Sequence, residues 1–398
     1  MAIPFKYNFR NLLRRKIRTI LTLLGIALVV WIMVFTLAFA RGLKANMKNN
    51  GDPDNIIILS AKAGTTIWFS AISRNNAAPL KYLDGVKSVR IPDPEFPDDR
   101  EMDEVIECWS PEVQYMTEVD DVPSRQLISV HGVDPARAFH VNSQVRITKG
   151  AGPFDNYSII IGSLVAAKLG IPRERLAVGR TLHFKDAEWT ITGTFTAPGT
   201  MMDSEIWCHH ENIMTQFNRK EFAMVKLKAV SPAYVPKILA AIKKNRRYQE
   251  LAAYHEPDFF KDYASGHNKF SIMAIVTAVV IAVGGIFTGI NTMYTAVVGR
   301  IREIGMLQVI GFSKAQVLLS FIFESLIISA TGGLIGCLAG LAFNGIPLTL
   351  TWFAFELKVD FTILAIGFAT ALVIGVVGAF FPALQGIRMR MVDAMRYN

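Results

Sequence analysis

Charge is scarce in this chain. Only 19% of its 398 residues are Asp, Glu, Lys or Arg, against roughly 25% in soluble domains. Four stretches, Ile20–Ala40, Phe270–Val298, Val317–Phe343 and Ile363–Phe381, hold one charged residue between them, Glu324. Each is about the ~20 residues a helix needs to cross ~30 Å of hydrocarbon, so a wholly soluble protein is excluded. Cysteine is rarer still, with three in the chain. Cys337 lies in an apolar stretch, and Cys108 and Cys208 stand far enough apart that a disulfide is not demanded. Catalytic signatures are missing too. There is no G-x-x-x-x-G-K-[ST] phosphate loop, no H-E-x-x-H, no C-x-x-C and no G-x-S-x-G. ATP binding through such a loop is therefore excluded for these residues. His209 and His210 are adjacent, and adjacent strand side chains point to opposite faces, which makes a poor chelate.

What charge there is falls unevenly. The formal net charge is +9. Residues 1–19 carry Lys6, Arg10, Arg14, Arg15, Lys16 and Arg18 and no acid. Residues 299–316 and 382–398 are each +2, residues 344–360 are −1, and residues 41–269 are nearly balanced at +1. Basic excess on alternate segments places both termini and the 299–316 loop in the cytosol by the positive-inside rule. Nucleic acid is excluded as a partner, because the one large polar segment is almost neutral.

The expected organisation follows. Residues 1–19 form a cytoplasmic basic amphipathic segment, with Phe5, Phe9, Leu12, Leu13 and Ile17 near helical spacing. Spans at 20–40, 270–298, 317–343 and 361–381 are separated by an extracytoplasmic core at 41–269, a cytoplasmic loop at 299–316 and a short external loop at 344–360. A cytoplasmic tail, 382–398, closes the chain. Ala38-Phe39-Ala40 fits a signal-peptidase site, but the 21-residue apolar run exceeds a signal core, and an uncleaved anchor is expected. The fold class is thus a membrane protein of four transmembrane α-helices with a large mixed α/β domain between spans 1 and 2. Within the core, strands are expected at Asn55–Ser60, Ser124–Gly132, Ser158–Gly162, Thr181–Phe184 and Trp189–Phe195, and helices at Ile161–Leu169, Glu211–Phe217 and Pro236–Lys244. IPDPEFPDD at 91–99 reads as an exposed loop, and two lobes are expected.

Two features of the membrane segments carry chemistry. Glu324 is an intramembrane carboxylate, costly unless it serves or is partnered, and pairing with Arg300 or Arg302 would tether it. Gly332, Gly336 and Gly340, with Gly285 and Gly289 and with Gly375 between Ala371 and Ala379, make small-residue faces on which helices approach closely.

The chain resembles a known family in several places. RRKIRTILTLLGI at 14–26 is similar to the start of MacB/FtsX-type (type VII) ABC transporter permeases. VHGVDP at 130–135 and IIIGSLVAAKLG at 159–170 resemble that family's periplasmic core domain, and RIREIGML at 300–307, Gly311 and Glu324 resemble its second half. The resemblance implies a non-catalytic membrane subunit of the bacterial inner membrane. A separate cytosolic ATPase, carrying ATP and Mg, would act on it, because only about 19 residues precede the first span. It further implies a second permease chain, identical or different, and raises a periplasmic adaptor with an outer-membrane channel as partners, all in a lipid bilayer. Arg300, Arg302, Glu303, Ile304, Gly305, Leu307 and Gly311 would then form the ATPase-coupling element. The chain itself would bind no cofactor or metal. Its expected function is mechanotransmission: ATP-driven movement of the periplasmic domain that exports or extracts a lipoprotein, lipid, peptide or drug. The alternative is a signalling scaffold of the FtsX kind that activates an envelope enzyme.

Overall fold

The computed structural model describes residues 16–48, 51–91, 104–122, 126–152, 157–351 and 353–388. Most of the expected basic amphipathic segment, of the 91–99 loop and of the tail lies outside them. Two compact units result. The membrane unit comprises Met1–Gly42, Lys269–Ile346 and Leu357–Asn398, and the core unit Leu43–Asn268 with Pro347–Glu356.

In chain order, helix α1 (Lys16–Lys48) precedes the core strands β1 (Asn55–Ser60), β2 (Ser88–Ile91), β3 (Glu104–Glu107), β4 (Trp109–Glu118) and β5 (Leu127–Val133). Then come α2 (Pro135–Val141), β6 (Arg146–Gly150), β7 (Ser158–Gly162), α3 (Val165–Leu169), β8 (Thr181–Phe184), β9 (Ala187–Thr196), β10 (Glu205–His209) and α4 (His210–Gln216). The core continues through β11 (Met224–Lys228), α5 (Val235–Lys244) and β12 (Leu251–His255). Helix α6 (Glu256–Val298) is followed by α7 (Ile301–Val309), α8 (Lys314–Leu341), the strands β13 (Pro347–Thr349) and β14 (Ala354–Glu356), and α9 (Phe361–Arg388).

Among the described residues, four helices are long and apolar enough to cross a membrane, over Thr19–Asn46, Ile272–Val298, Lys314–Leu341 and Phe361–Arg388. The glycine faces pack within the membrane unit. A Cβ on Gly332 would lie 2.9 Å from the Leu23 carbonyl oxygen, and one on Gly336 would lie 2.6 Å from that of Ala27. Gly340 meets Val34, Gly285 and Gly289 meet Ile374, and Gly375 meets Ser329. Helix α8 thus lies against α1 through its glycines, and α9 against α6 and α8. Gly336→Val should therefore lower the thermal midpoint of the detergent-solubilised chain, by overpacking worth about 1–3 kcal/mol. The backbone carbonyl it meets cannot rotate away as a side chain would. An unchanged melting curve would show that α1 and α8 do not touch here.

The core unit is built on one sheet in the order β12-β1-β11-β4-β5-β10-β7-β9-β6, with β8 on β9. Pairing is antiparallel except between β5 and β10 and between β7 and β9. Its apolar core runs from Ile56 and Ile58 through Val113, Val130 and Ile206 to Phe184 and Trp189, so no polar seam divides it. The expected helix at Ile161–Leu169 is shorter: Ile161 and Gly162 belong to β7, where Ile159–Ile161 pair with β10 on one side and β9 on the other. Helix α3 starts only at Val165 and ends at Gly170, whose φ of 67° provides the left-handed cap. Asp134 caps α2 ahead of Pro135 at its first turn.

The expected external loop at 344–360 also holds structure. Pro347–Thr349 and Ala354–Glu356 form a hairpin that belongs to the core unit. Lys168 Nζ donates to the Leu350 and Thr351 carbonyls, the latter at 3.0 Å, and Ala354 and Phe355 are buried. Cys108 and Cys208 are free, buried thiols. Burial pushes the Cys208 thiol well above its ordinary value.

Candidate coupling helix and a buried charged network

The segment 299–316 is not the bare loop expected from its length. It contains α7, whose Ile301, Ile304, Gly305 and Gln308 are buried at the three- and four-residue spacing of one helical face. Ile304 packs with Val297, Val317, Phe321, Ala383 and Ile387, and Leu307 lies partly buried beside them. Gly311 adopts φ 105°, which a side chain tolerates poorly. Ser313 then opens α8 with a capping box shared with Gln316.

Arg300 does not point outward with its neighbours. Its guanidinium makes two parallel bonds to Glu324, Nη1 to Oε2 at 2.6 Å and Nη2 to Oε1 at 2.8 Å. Both residues are only 7% exposed, and the Arg300 cation also lies over the Phe321 ring. The intramembrane carboxylate is therefore partnered, and Arg300 rather than Arg302 is the partner. Arg300, expected to be part of the ATPase-coupling element, instead turns inward and fixes the start of α7 against α8. On the opposite face Arg302, Met306, Val309 and Ile310 are exposed, the last three at 54%, 63% and 74%, with Glu303 half-buried beside them. A helix end held by an ion pair thus displays a small apolar patch flanked by one cation and one anion.

A second cluster, in the core unit, was not singled out from the sequence. On one face of the neighbouring strands β11, β4, β5 and β10 stand Lys226, Glu112, His131 and Glu205, each two residues from another member of that face and alternating with core-facing Val225, Val113, Val130 and Ile206. His131 is held at both ring nitrogens, with Nε2 2.9 Å from Glu112 Oε2 and Nδ1 3.0 Å from Glu205 Oε2. Glu205 further accepts from Gln114 Nε2 at 2.8 Å and from the Trp207 indole at 3.1 Å. Lys226 Nζ donates to Asn142 Oδ1 at 2.8 Å and stands 3.2 Å from Glu256 Oε1. Glu256 Oε2 accepts from Asn55 and from the Asp52 amide.

The electrostatics are mutual. Burial opposes charge on His131, but Glu205 and Glu112 outweigh it and raise the imidazole to about 9. Burial would likewise raise Glu112, yet Lys226 and His131 bring it down to about 2. Glu205 is lowered by His131 and Lys226 against the same burial, and Lys226 is raised by Glu112 and Glu256. The readable signal was the alternation of each strand: Lys226, Glu112, His131 and Glu205 stand next to the core-facing Val225, Val113, Val130 and Ile206.

Residues 19–245 match the model of the MacB-like periplasmic core domain, and residues 275–391 that of the FtsX-like permease C-terminal region. The chain belongs to the MacB/FtsX-type ABC transporter permeases. It is 24% identical, over 98% of its own length, to the macrolide export ATP-binding/permease protein MacB of Bdellovibrio bacteriovorus, and spans 61% of that relative. Identity to the ABC transporter permease YknZ of Bacillus subtilis is 23%, covering 98% of this chain and 97% of YknZ. Among solved structures, the periplasmic region of MacB from Actinobacillus actinomycetemcomitans aligns over 55% of this chain and 96% of its own, with 8% identity and a TM-score of 0.38. The extracellular domain of YknZ aligns over 50% and 99%, with 13% identity and a TM-score of 0.36. In this multi-pass permease, α7 and Glu324 fall in the FtsX-like match, whereas Glu112, His131, Glu205 and Lys226 fall in the core-domain match.

Proposed function

We propose that the chain is the non-catalytic permease subunit of an ATP-driven machine in which α7 seats in a cleft of a separate cytosolic ATPase. The observation that carries this reading is the exposed patch of Arg302, Met306, Val309 and Ile310 on a helix anchored from behind by Arg300 and Glu324. Exposed apolar side chains grouped beside charged ones mark a surface that a partner protein or the membrane covers. Two ATPases closing around ATP and Mg would draw two such helices together, and the attached spans would move the core domains on the far side of the membrane. The basic excess on alternate segments supports a cytosolic position for the termini and α7 and an external one for the core. The macrolide export in the name of the MacB relatives supports an amphipathic cargo such as a drug, lipid, peptide or lipoprotein. A second permease chain completes the unit, and an adaptor with an outer-membrane channel is a further partner.

Arg302→Glu tests the seat. Because Arg302 is exposed, the variant is expected to fold and insert normally. It should lose co-purification with the ATPase and cargo-stimulated ATP hydrolysis in proteoliposomes. Normal stimulation in the variant would sink the assignment.

A further inference from the structure

Stretches far apart in the sequence place basic side chains around one open groove of the core unit. The groove has a volume of about 510 Å³, and Arg74, Asn75, Glu211, Asn218, Arg219 and Lys220 are among its lining. A bridge between Ile72 and Phe222 sets residues 73–75 beside residues 218–221. Arg247, from the turn Arg246–Tyr248, reaches the same place, its Nη2 donating to the Asn75 carbonyl at 3.5 Å. Buried Tyr248 pins that turn.

The charge of the groove is one-sided. Among the described residues Glu211 is the one carboxylate in its lining, and Arg74 occupies it at 2.7 Å. Arg219, Lys220 and Arg247 have no described carboxylate within ion-pair distance. Exposed Lys243, Lys244 and Arg246 extend the basic surface, against Glu250 at its end. Crowded cations of this kind are relieved by an anionic partner, and they steer it in.

The inner guanidinium groups are already held in place. Arg74 lies over the Phe222 ring and Arg219 over the Tyr115 ring, and Arg219 Nη2 donates to the Ser70 carbonyl. A fixed guanidinium fork loses little freedom on meeting a carboxylate. Asn75 and Asn218 supply amides that make no side-chain hydrogen bond among the described residues. An amide both donates and accepts, which matches the peptide group, whereas a lipid phosphate only accepts. Position favours the same class of partner. Residues 243–250 precede Leu251, which pairs with Ser60, while the junctions with the spans adjoin the other end of β1 and β12, where Ile56 pairs with His255. The basic surface thus lies at the end of these strands remote from the junctions.

We propose that this groove is a docking site for an acidic, extended segment of another protein. Its carboxylates would meet Arg219, Lys220 and Arg247, and its backbone would meet Asn75 and Asn218. Docking here depends neither on the side of the membrane that the core occupies nor on the ATPase contact of α7.

The test uses the full chain in phosphatidylcholine nanodiscs, without ATPase, and two rhodamine-labelled peptides, one of alternating Glu and Ser and one of alternating Gln and Ser. Anisotropy titration should show saturable binding of the Glu peptide above that of empty nanodiscs, and none of the Gln peptide. Lys220→Gln with Arg247→Gln should weaken binding about tenfold or more. Both side chains are exposed, so this variant is expected to fold. Arg146→Gln with Lys149→Gln removes the same charge from exposed β6, at the opposite edge of the sheet, and should leave binding unchanged. Equal binding of both peptides, full affinity in the groove variant, or an equal loss in the β6 variant overturns the proposal. So does an absence of peptide binding together with flotation on phosphatidylglycerol liposomes that only the groove variant loses, since the groove would then hold lipid. None of these outcomes bears on Arg302, so the coupling reading and this site stand or fall separately.

Discussion

Arg300→Met and Glu324→Leu, each made alone, are expected to destabilise the membrane unit by about 3–5 kcal/mol, the usual consequence of leaving one member of a buried ion pair without its partner. The pair is bidentate and nearly sealed from solvent, so the orphaned charge is left largely without water. The double variant is expected to recover most of that loss. Two apolar side chains of similar volume beside Phe321 and Ile304 need no counter-charge, and the removed desolvation offsets the removed attraction. Thermal unfolding of the four proteins in detergent, treated as a double-mutant cycle, measures this. Simple additivity of the two losses would show that the pair is not coupled. A recovered double variant that still fails to stimulate the ATPase would show that the ion pair also sets the position of α7.

Raising pH is expected to weaken the core unit at the His131 network. In the folded chain the imidazole holds its proton up to about 9, against 6.5 for the ordinary group. A raised value means that the folded state binds the proton more tightly. The contribution is therefore complete below pH 6.5 and lost progressively as pH rises through about 9. Its size is about 3 kcal/mol at full strength. Glu112 works in the opposite direction. Its value falls from 4.5 to about 2, so its contribution is present above pH 4.5 and lost as pH falls through about 2. Melting temperatures of the full chain measured from pH 6.5 to about 9 should decline. His131→Gln should start lower, because Glu112 and Glu205 lose their shared cation, and should show a flat profile over the same window. A wild-type curve as flat as the variant's would remove His131 from the account.

The spans were legible because hydropathy is a local property. A run such as Ile20–Ala40 needs no knowledge of its neighbours to be recognised, although the helices extend beyond the apolar stretches, α1 to Lys48 and α6 back to Glu256. Strands Asn55–Ser60, Ser158–Gly162 and Thr181–Phe184 were equally plain, since β-branched residues between turn-formers signal an extended chain without reference to the partner strand. Helix α7 was missed inside a segment too short and too charged to look periodic, even though Ile301, Ile304 and Gln308 carry the spacing. The hairpin at Pro347–Glu356 was missed because what holds it, Lys168, comes from far earlier in the chain.

By itself the sequence determined that this is a multi-pass membrane protein with one large mixed domain between its first two spans, and which loops carry the basic excess. Composition and order suffice for that, because burial in lipid is decided residue by residue. Tertiary structure alone decided that Arg300 and not Arg302 meets Glu324: Arg300 precedes the first turn of α7 and Arg302 lies within it, so they point in different directions, and only the packing of α7 selects one. It also decided that Glu112, His131, Glu205 and Lys226 share a single face. Glu112 and His131 come from early in the core and Glu205 and Lys226 from late in it, and only the sheet order β11-β4-β5-β10, with its parallel β5–β10 pair, brings them together.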